Sequence, residues 1–279
     1  MKIKANAKIN LTLDVLGRRQ DGYHLIDSVF QSVSVYDEVT VEKADTVTVN
    51  CSDSGLSDQS NIAYKASQKF FERTGIMGGA QIYIEKHIPQ AAGMGGGSAD
   101  AAAVIVALDK LYKTNLSKQQ LCDIGLLVGA DVPFCIVGGT ARVGGIGEQM
   151  SALPNMPDCA ILLIKHGVKL STADMYRQID ACPQEQRFTQ KVVDAIQNAD
   201  LDGISQNVFN AFFAVCDNTK LITDIKTTSP MAASLSGSGP TVFAIYNDFV
   251  AASKASKSLC DMGYNVINAT PTDSGLEIE

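Results

Sequence analysis

Residues Pro89-Gln90-Ala91-Ala92-Gly93-Met94-Gly95-Gly96-Gly97-Ser98-Ala99-Asp100 form a glycine-rich loop that runs straight into an alanine-rich segment, predicted helical from about Ala99 to Tyr112. Three successive glycines ahead of a helix present bare N–H groups at the positive end of its dipole. That arrangement holds anions, phosphate above all. Two familiar phosphate loops can be tested by spacing. A Rossmann fingerprint opening at Gly93 needs glycine at 98, where Ser98 stands, and the following acidic residue is not matched either. A Walker A loop needs Gly-Lys before Ser or Thr, and the chain contains no Gly-Lys pair. Both fail. A plain glycine turn with Ser98 as N-cap competes, but the loop is longer than capping requires. Asp100, read as a first-turn residue, either complements the dipole or stands beside a polyphosphate with Mg²⁺ between them. Ser98 could ligate that Mg²⁺ or donate to a phosphate oxygen.

Outward from the loop, strands and helices mix without a regular βαβ repeat, which favours α+β over a doubly wound sheet. At the N-terminus Ile3, Ala5, Ala7, Ile9, Leu11, Leu13 and Val15 alternate with Lys2, Lys4, Asn6, Lys8, Asn10, Thr12 and Asp14. This predicts a strand with one buried and one polar face. Further strands are predicted at 28–35, 38–42, 47–50, 80–85, 140–143, 160–164, 232–235, 242–246 and 265–269. Ser60 reads as the N-cap of a helix that Gly75 ends, and Ser117-Lys118-Gln119-Gln120 as a capping box. Ser171 caps another helix, several helices fill the stretch to about Thr228, and one more lies near 249–262. Leu153-Pro154-Asn155-Met156-Pro157 is the best boundary, giving units of 1–153 and 154–279.

Composition narrows the class. Of 279 residues, 46% are hydrophobic and 19% charged, which excludes intrinsic disorder. A net charge of −7 argues against nucleic acid or an anionic membrane as partner, though not against one anionic small molecule. The longest strongly apolar run, Ala101 to Leu108, is far short of the roughly 20 residues of a membrane span. Seven cysteines (51, 122, 135, 159, 182, 216 and 260) include no C-x-x-C pair, and the N-terminus lacks a signal-peptide run. A soluble, cytoplasmic protein with cysteines as small core residues is expected. The three histidines stand far apart and give no zinc spacing.

Taken singly, the remaining motifs are ambiguous. Lys8 and Asn10 on the polar face of the first strand read as a solvated edge. Asp131, in Gly129-Ala130-Asp131-Val132-Pro133-Phe134, reads as an Asx-turn or N-cap aspartate. Asp21-Gly22-Tyr23-His24 is compatible with a plain turn, and Ser236-Gly237-Ser238-Gly239-Pro240 with any tight connection between strands.

Together and in this order, with Gly17-Arg18-Arg19 and Gly147-Glu148, these segments resemble the GHMP kinase superfamily from end to end. The glycine loop and the Ser-Gly-Ser-Gly turn mark the superfamily. Ala7-Lys8-Ile9-Asn10-Leu11 with the Asp-Gly-Tyr-His turn is narrower, resembling the branch that phosphorylates a cytidine-diphosphate methylerythritol at its tertiary 2-hydroxyl. The resemblance implies a ribosomal-protein-S5-like N-terminal domain and a ferredoxin-like C-terminal domain, with ATP and substrate meeting between them. It implies that Asp131 accepts the hydroxyl proton and that Lys8 pairs with it. Gln90 through Asp100 would wrap the ATP phosphates, with Ser98 the protein contact to Mg²⁺. Asn10, Tyr23 and His24 would recognise the substrate, with Tyr176 a weaker candidate for the far side of the cytosine ring. A monomer or weak homodimer is expected. Met94 and Ala99 depart mildly from the family's loop. Asn207-Val208-Phe209-Asn210 stands where the family usually reads Asn-x-Leu-Glu, so Asn210 receives no catalytic weight. Two other readings remain at this point: a GHMP kinase for a different alcohol, and an inactive member that only binds a ligand. The presence of both Lys8 and Asp131 opposes the latter.

Overall fold

A computed structural model describes residues 1–168, 170–181 and 185–279. In chain order its elements are β1 (Lys2–Arg18), β2 (His24–Ala44), β3 (Thr48–Cys51), α1 (Ile62–Thr74), β4 (Gly79–Glu85), α2 (Gly96–Tyr112), α3 (Lys118–Val128), α4 (Val132–Val137), β5 (Thr140–Gly145) and β6 (Gln149–Ala152). Then follow β7 (Ala160–Lys165), α5 (Thr172–Ala181), α6 (Thr189–Gln197), α7 (Leu201–Asn207), β8 (Phe209–Asn210), α8 (Thr219–Lys226), β9 (Ala232–Leu235), β10 (Thr241–Tyr246), α9 (Phe249–Asp261), β11 (Val266–Ala269) and β12 (Leu276–Ile278). The α+β expectation holds.

The first sheet runs β12-β1-β2-β4-β3, with β5 and β6 joined through β2 and β8 lying parallel to β1. The two strand runs expected at 28–35 and 38–42 are one long β2, which pairs with β1, β5 and β4 in turn. The second sheet, β11-β7-β10-β9, is antiparallel throughout. Its core, with Phe243 and Ile245 on one face and Leu162, Val242 and Tyr246 on the other, splits between two apolar clusters. The linker at Leu153–Pro157 joins the sheets. Yet β8 and β12 lie beyond residue 153 and add strands to the first sheet.

Helix α2 is apolar around most of its circumference. Ala99, Ala101, Ala102, Ala103, Val104, Ile105, Ala107 and Leu108 are all buried, as a helix enclosed on several sides requires. Its alanines allow close packing against the first sheet, α1 and α3. Asn61, not Ser60, caps α1: the Asn61 side chain accepts from the Ala63 N–H, while Ser60 turns to Asp58. The Ser117 capping box forms as read. The short β8 interrupts the helical stretch expected before Thr228.

One expectation about β1 is corrected. Its polar face is not solvated: Asn6, Lys8, Asn10, Thr12 and Asp14 are all buried. The register with β2 slips between Asn6 and Ala7, where Ser34 and Val35 go unmatched. Across this slip the apolar set of β1 passes from the cluster under α2 (Ile3, Ala5) to the one shared with the second sheet (Ala7, Ile9, Leu11). Lys8 and Asn10 are thereby turned into the junction with the glycine loop. Cys51, Cys122, Cys135 and Cys159 are buried, as expected, but Cys216 is only partly so and Cys260 is exposed. Cys182 lies outside the described residues. Among the described residues no helix is long and apolar enough to cross a membrane.

Candidate active site

The glycine loop is held from several sides by its backbone. The Lys8 N–H donates to Met94 O at 2.9 Å and the Thr241 N–H to Ala92 O at 3.3 Å. Ser236 Oγ donates to Gly93 O at 2.9 Å, and Lys165 Nζ to Gln90 O at 2.8 Å. Met94 and Ala92 are buried, so the alternation of apolar residues with glycines pins the loop while leaving its backbone bare. Two glycines are obligatory. Gly93 has φ +76°, and a Cβ there would sit 2.2 Å from Ser236 O; Gly95 has φ +71°, and its Cβ would press on Lys8 Cγ at 3.0 Å. Helix α2 opens at Gly96 with Gly95 as N-cap, three residues earlier than predicted. Ser98 therefore lies inside the first turn rather than capping it. The N–H groups of Gly96, Gly97 and Ser98 have no partner within the helix.

The segment from Ala91 to Ser98 walls a cavity of about 310 Å³, closed by Lys8, Asp131, Ile62, Pro89, Gly237 and Ser238. Three residues assigned to this wall lie elsewhere. Gln90 Nε2 donates to Asp53, and Ala99 is fully buried. Asp100 lies beyond the first turn, with its carboxylate against Lys86 Nζ at 2.6 Å. Lys86 also meets Asp37 at 2.5 Å, and Asp37 in turn accepts from the N–H groups of His87 and Ile88. One lysine thus serves two buried carboxylates. Burial pushes the Asp100 carboxyl up to about 7 against the opposing pull of Lys86. Its side chain is unavailable to a metal at the loop, where Ser98, Asp131 and Ser238 are the lining residues with side-chain oxygens.

Lys8 and Asp131 converge at this cavity. Lys8 Nζ lies 3.4 Å from Asp131 Oδ2, with the lysine side chain 5% exposed and the aspartate 34%. Lys8 also donates to Asn10 Oδ1 at 2.8 Å and stands 4.2 Å from the centre of the Phe30 ring. These partners offset the cost of burying its charge. Asn10 Nδ2 donates to Ser28 Oγ at 3.2 Å, and Ser28 passes its hydrogen to Thr12 O, so Asn10 Oδ1 is aimed at the ammonium. Asp131 occupies the N-cap position of α4, but its side chain makes no capping hydrogen bond. The carboxylate is left for the cavity and Lys8. Gly147 comes close to the loop that carries Asp131: a Cβ there would lie 3.2 Å from Ala130 Cβ.

The second glycine turn, singled out as a motif but not assigned to the site, supplies Gly237 and Ser238 to the cavity. Asn210 anchors it. Its Nδ2 donates to Leu235 O at 2.8 Å and Gly237 O at 2.9 Å, while its Oδ1 accepts from the Phe212 N–H at 2.9 Å. A carboxylate could not donate to those carbonyls. In this chain Asn210 is a clamp on the turn.

His24 begins β2 and stacks on Tyr176 of α5, with ring centroids 4.2 Å apart and planes 11° from parallel. Its Nε2 lies 2.7 Å from Asp180 Oδ1. Phe212 also meets Tyr176, edge-on at 4.8 Å. Burial, and secondarily the charge of Asp131, push the Tyr176 hydroxyl up to about 12. Tyr23 is not part of the pair. It is 61% exposed in a turn where its N–H donates to Asp21 Oδ1 at 3.3 Å.

The geometry agrees with comparisons to known proteins. The GHMP kinases N terminal domain matches residues 61–139, and the GHMP kinases C terminal domain residues 193–265. A 4-diphosphocytidyl-2-C-methyl-D-erythritol kinase of Caldicellulosiruptor bescii is 41% identical over 93% of this chain and 94% of its own. One from Alkaliphilus metalliredigens is 38% identical over 93% and 92%. A crystal structure of 4-(cytidine 5'-diphospho)-2C-methyl-D-erythritol kinase superposes with a TM-score of 0.82 at 28% identity, covering 97% of this chain and 99% of that one. A homoserine kinase from Cytophaga hutchinsonii, 20% identical, shares the fold at a TM-score of 0.78. The chain therefore belongs to the GHMP kinases and, within them, to the family of 4-diphosphocytidyl-2-C-methyl-D-erythritol kinases.

Proposed function

We propose that this chain transfers the γ-phosphoryl group of ATP to the tertiary 2-hydroxyl of 4-diphosphocytidyl-2-C-methyl-D-erythritol, giving the 2-phosphate and ADP in non-mevalonate isoprenoid precursor synthesis. The observation that carries the mechanism is the 3.4 Å approach of Lys8 Nζ to Asp131 Oδ2 at a cavity walled by the triple glycine.

The unpaired N–H groups at the start of α2 receive phosphate oxygens, helped by the helix dipole. Asp131 accepts the proton of the substrate hydroxyl as its oxygen forms the new bond to the γ-phosphorus and the bond to the ADP oxygen breaks. Lys8, held by Asn10, pairs with the aspartate and offsets charge on the transferring group. Mg²⁺ with the nucleotide would neutralise the phosphate oxygens, and Ser98 is the residue placed to hold it. His24 and Tyr176 form the cytosine site, while Asn10, buried and bonded to Lys8 and Ser28, orients the ammonium from behind. Tyr23 reaches the ring only if its turn swings inward from solvent.

The test is an ATP-consumption assay with the cytidyl substrate against mevalonate, homoserine and galactose. Turnover confined to the cytidyl substrate is expected. Preferred turnover of any other alcohol overturns the assignment and favours a different GHMP kinase. No turnover with any of the four favours a ligand-binding member.

A further inference from the structure

His24 has two ring nitrogens, and the structure distinguishes them. Nε2 lies 2.7 Å from Asp180 Oδ1, and Arg18 Nη1 stands 4.0 Å from Asp180 Oδ2. A carboxylate can only accept. Nε2 therefore carries the hydrogen. The His24 side chain is only 7% exposed, its ring lies flat against Tyr176, and Asp180 holds the Nε2 edge. Nδ1 makes no hydrogen bond among the described residues and is not sealed from solvent. In the neutral ring Nδ1 is a bare acceptor. A planar base meeting this edge in the plane of His24 lies parallel to the Tyr176 ring.

We infer that Asp180 is a positioning residue for base selection: by holding His24 in the Nε2–H tautomer it aims the Nδ1 lone pair at the base, accepting from an exocyclic amino group and repelling a carbonyl. Cytosine carries an amino group at its 4-position, where uracil carries a carbonyl oxygen. The pocket thus discriminates between the two through a residue that need not touch the base. This rests on the cytosine site proposed at His24 and Tyr176.

The experiment compares kcat/KM for the cytidyl substrate and its uridine-diphosphate counterpart in the wild type, Asp180→Ala, Asp180→Asn and His24→Ala, together with ¹⁵N spectra of His24. Asp180 stands in the last turn of α5 at an exposed position, so neither substitution opens the core. Alanine removes the acceptor, and the asparagine amide can rotate to donate to Nε2. Both variants are expected to reduce the preference for cytosine by about tenfold or more, the cost of an unsatisfied buried polar group. The His24 spectrum should move from Nε2–H in the wild type towards a mixture of tautomers. An unchanged preference, or a wild-type His24 already in the Nδ1–H form, overturns the role of Asp180. The His24→Ala variant separates the two levels. If it leaves the KM of the cytidyl substrate unchanged, the base site itself is misplaced. If it raises that KM while the Asp180 variants keep the preference, only the tautomer argument fails.

Discussion

Asp131 bears the chemistry and little of the packing. It is 34% exposed and makes no capping hydrogen bond, so Asp131→Ala should fold normally. Turnover should fall by about a hundredfold or more, the usual contribution of a positioned general base. The KM for ATP should stay close to that of the wild type, because the nucleotide is held by backbone N–H groups. Steady-state kinetics with ATP varied checks this, and near-normal kcat would remove the general-base role. Gly95 is the converse case, a residue with no side chain to react. At φ +71° and with a Cβ pressed to 3.0 Å from Lys8 Cγ, Gly95→Ala would strain the backbone and displace the ammonium. A stability loss on the order of 1–3 kcal/mol is expected from the backbone alone. A lower kcat and a higher KM for ATP should accompany it. Thermal melts read beside kinetics test the coupling; an unaltered kcat would mean that Lys8 has room to shift.

Among the elements, α2 joins the phosphate loop at one end to a buried ionic cluster near it. Burial raises the Asp100 carboxyl to about 7, whereas the unfolded chain releases that proton near pH 4. Between those values the folded protein binds the extra proton, so this group lowers stability as pH rises towards 7 and adds no further change above it. Asp100→Asn should flatten the fall in melting temperature between pH 5 and pH 7 relative to the wild type. Parallel curves for the two proteins would show that Lys86 and Asp37 compensate fully. None of this cluster was legible in the sequence: Lys86 is a lone lysine after a strand, the kind of residue that is usually solvated. The elements themselves were readable because their signals are local. The alternation of β1, the Ser117 capping box and the glycine run each lie within one element. What stayed hidden depends on distant contacts. The burial of the β1 polar face comes from distant segments: Met94 and Asp131 beside Lys8, Thr189 beside Thr12 and Asp14, and Ser274 beside Asn6. Asp180 meets His24 across 156 positions, and Asn210 clamps a turn 25 residues later. In each, an ordinary polar residue gains its role only from the partner the fold supplies.

For the whole molecule, the chain's end closes what its beginning opens. Strand β12 pairs with Ile3–Ala5 of β1, and the segment before it is wedged between β1 and α4. The Asn6 N–H donates to Gly275 O at 2.9 Å, Asn6 Nδ2 to Ser274 O at 2.9 Å, and the Glu279 N–H to Lys2 O at 3.0 Å. A Cβ on Gly275 would meet Cys135 O at 2.1 Å, and one on Gly138 would meet Gly275 N at 1.7 Å, so this tail lies in direct contact with the end of α4. The catalytic pair hangs from those same elements: Lys8 two residues past Asn6 on β1, Asp131 at the head of α4. Removing residues 273–279 strips hydrogen bonds worth roughly 1 kcal/mol each and uncovers the buried edge of β1. The truncated chain is expected to melt several degrees lower, in line with a loss of a few kcal/mol spread over a domain of this size. Its kcat should drop below the wild-type value at temperatures where circular dichroism still shows it folded, because the separation of Lys8 from Asp131 is no longer set from both sides. A truncated enzyme with a lower melting point but full kcat in its folded range would mean that the second sheet and the glycine loop alone hold the pair together.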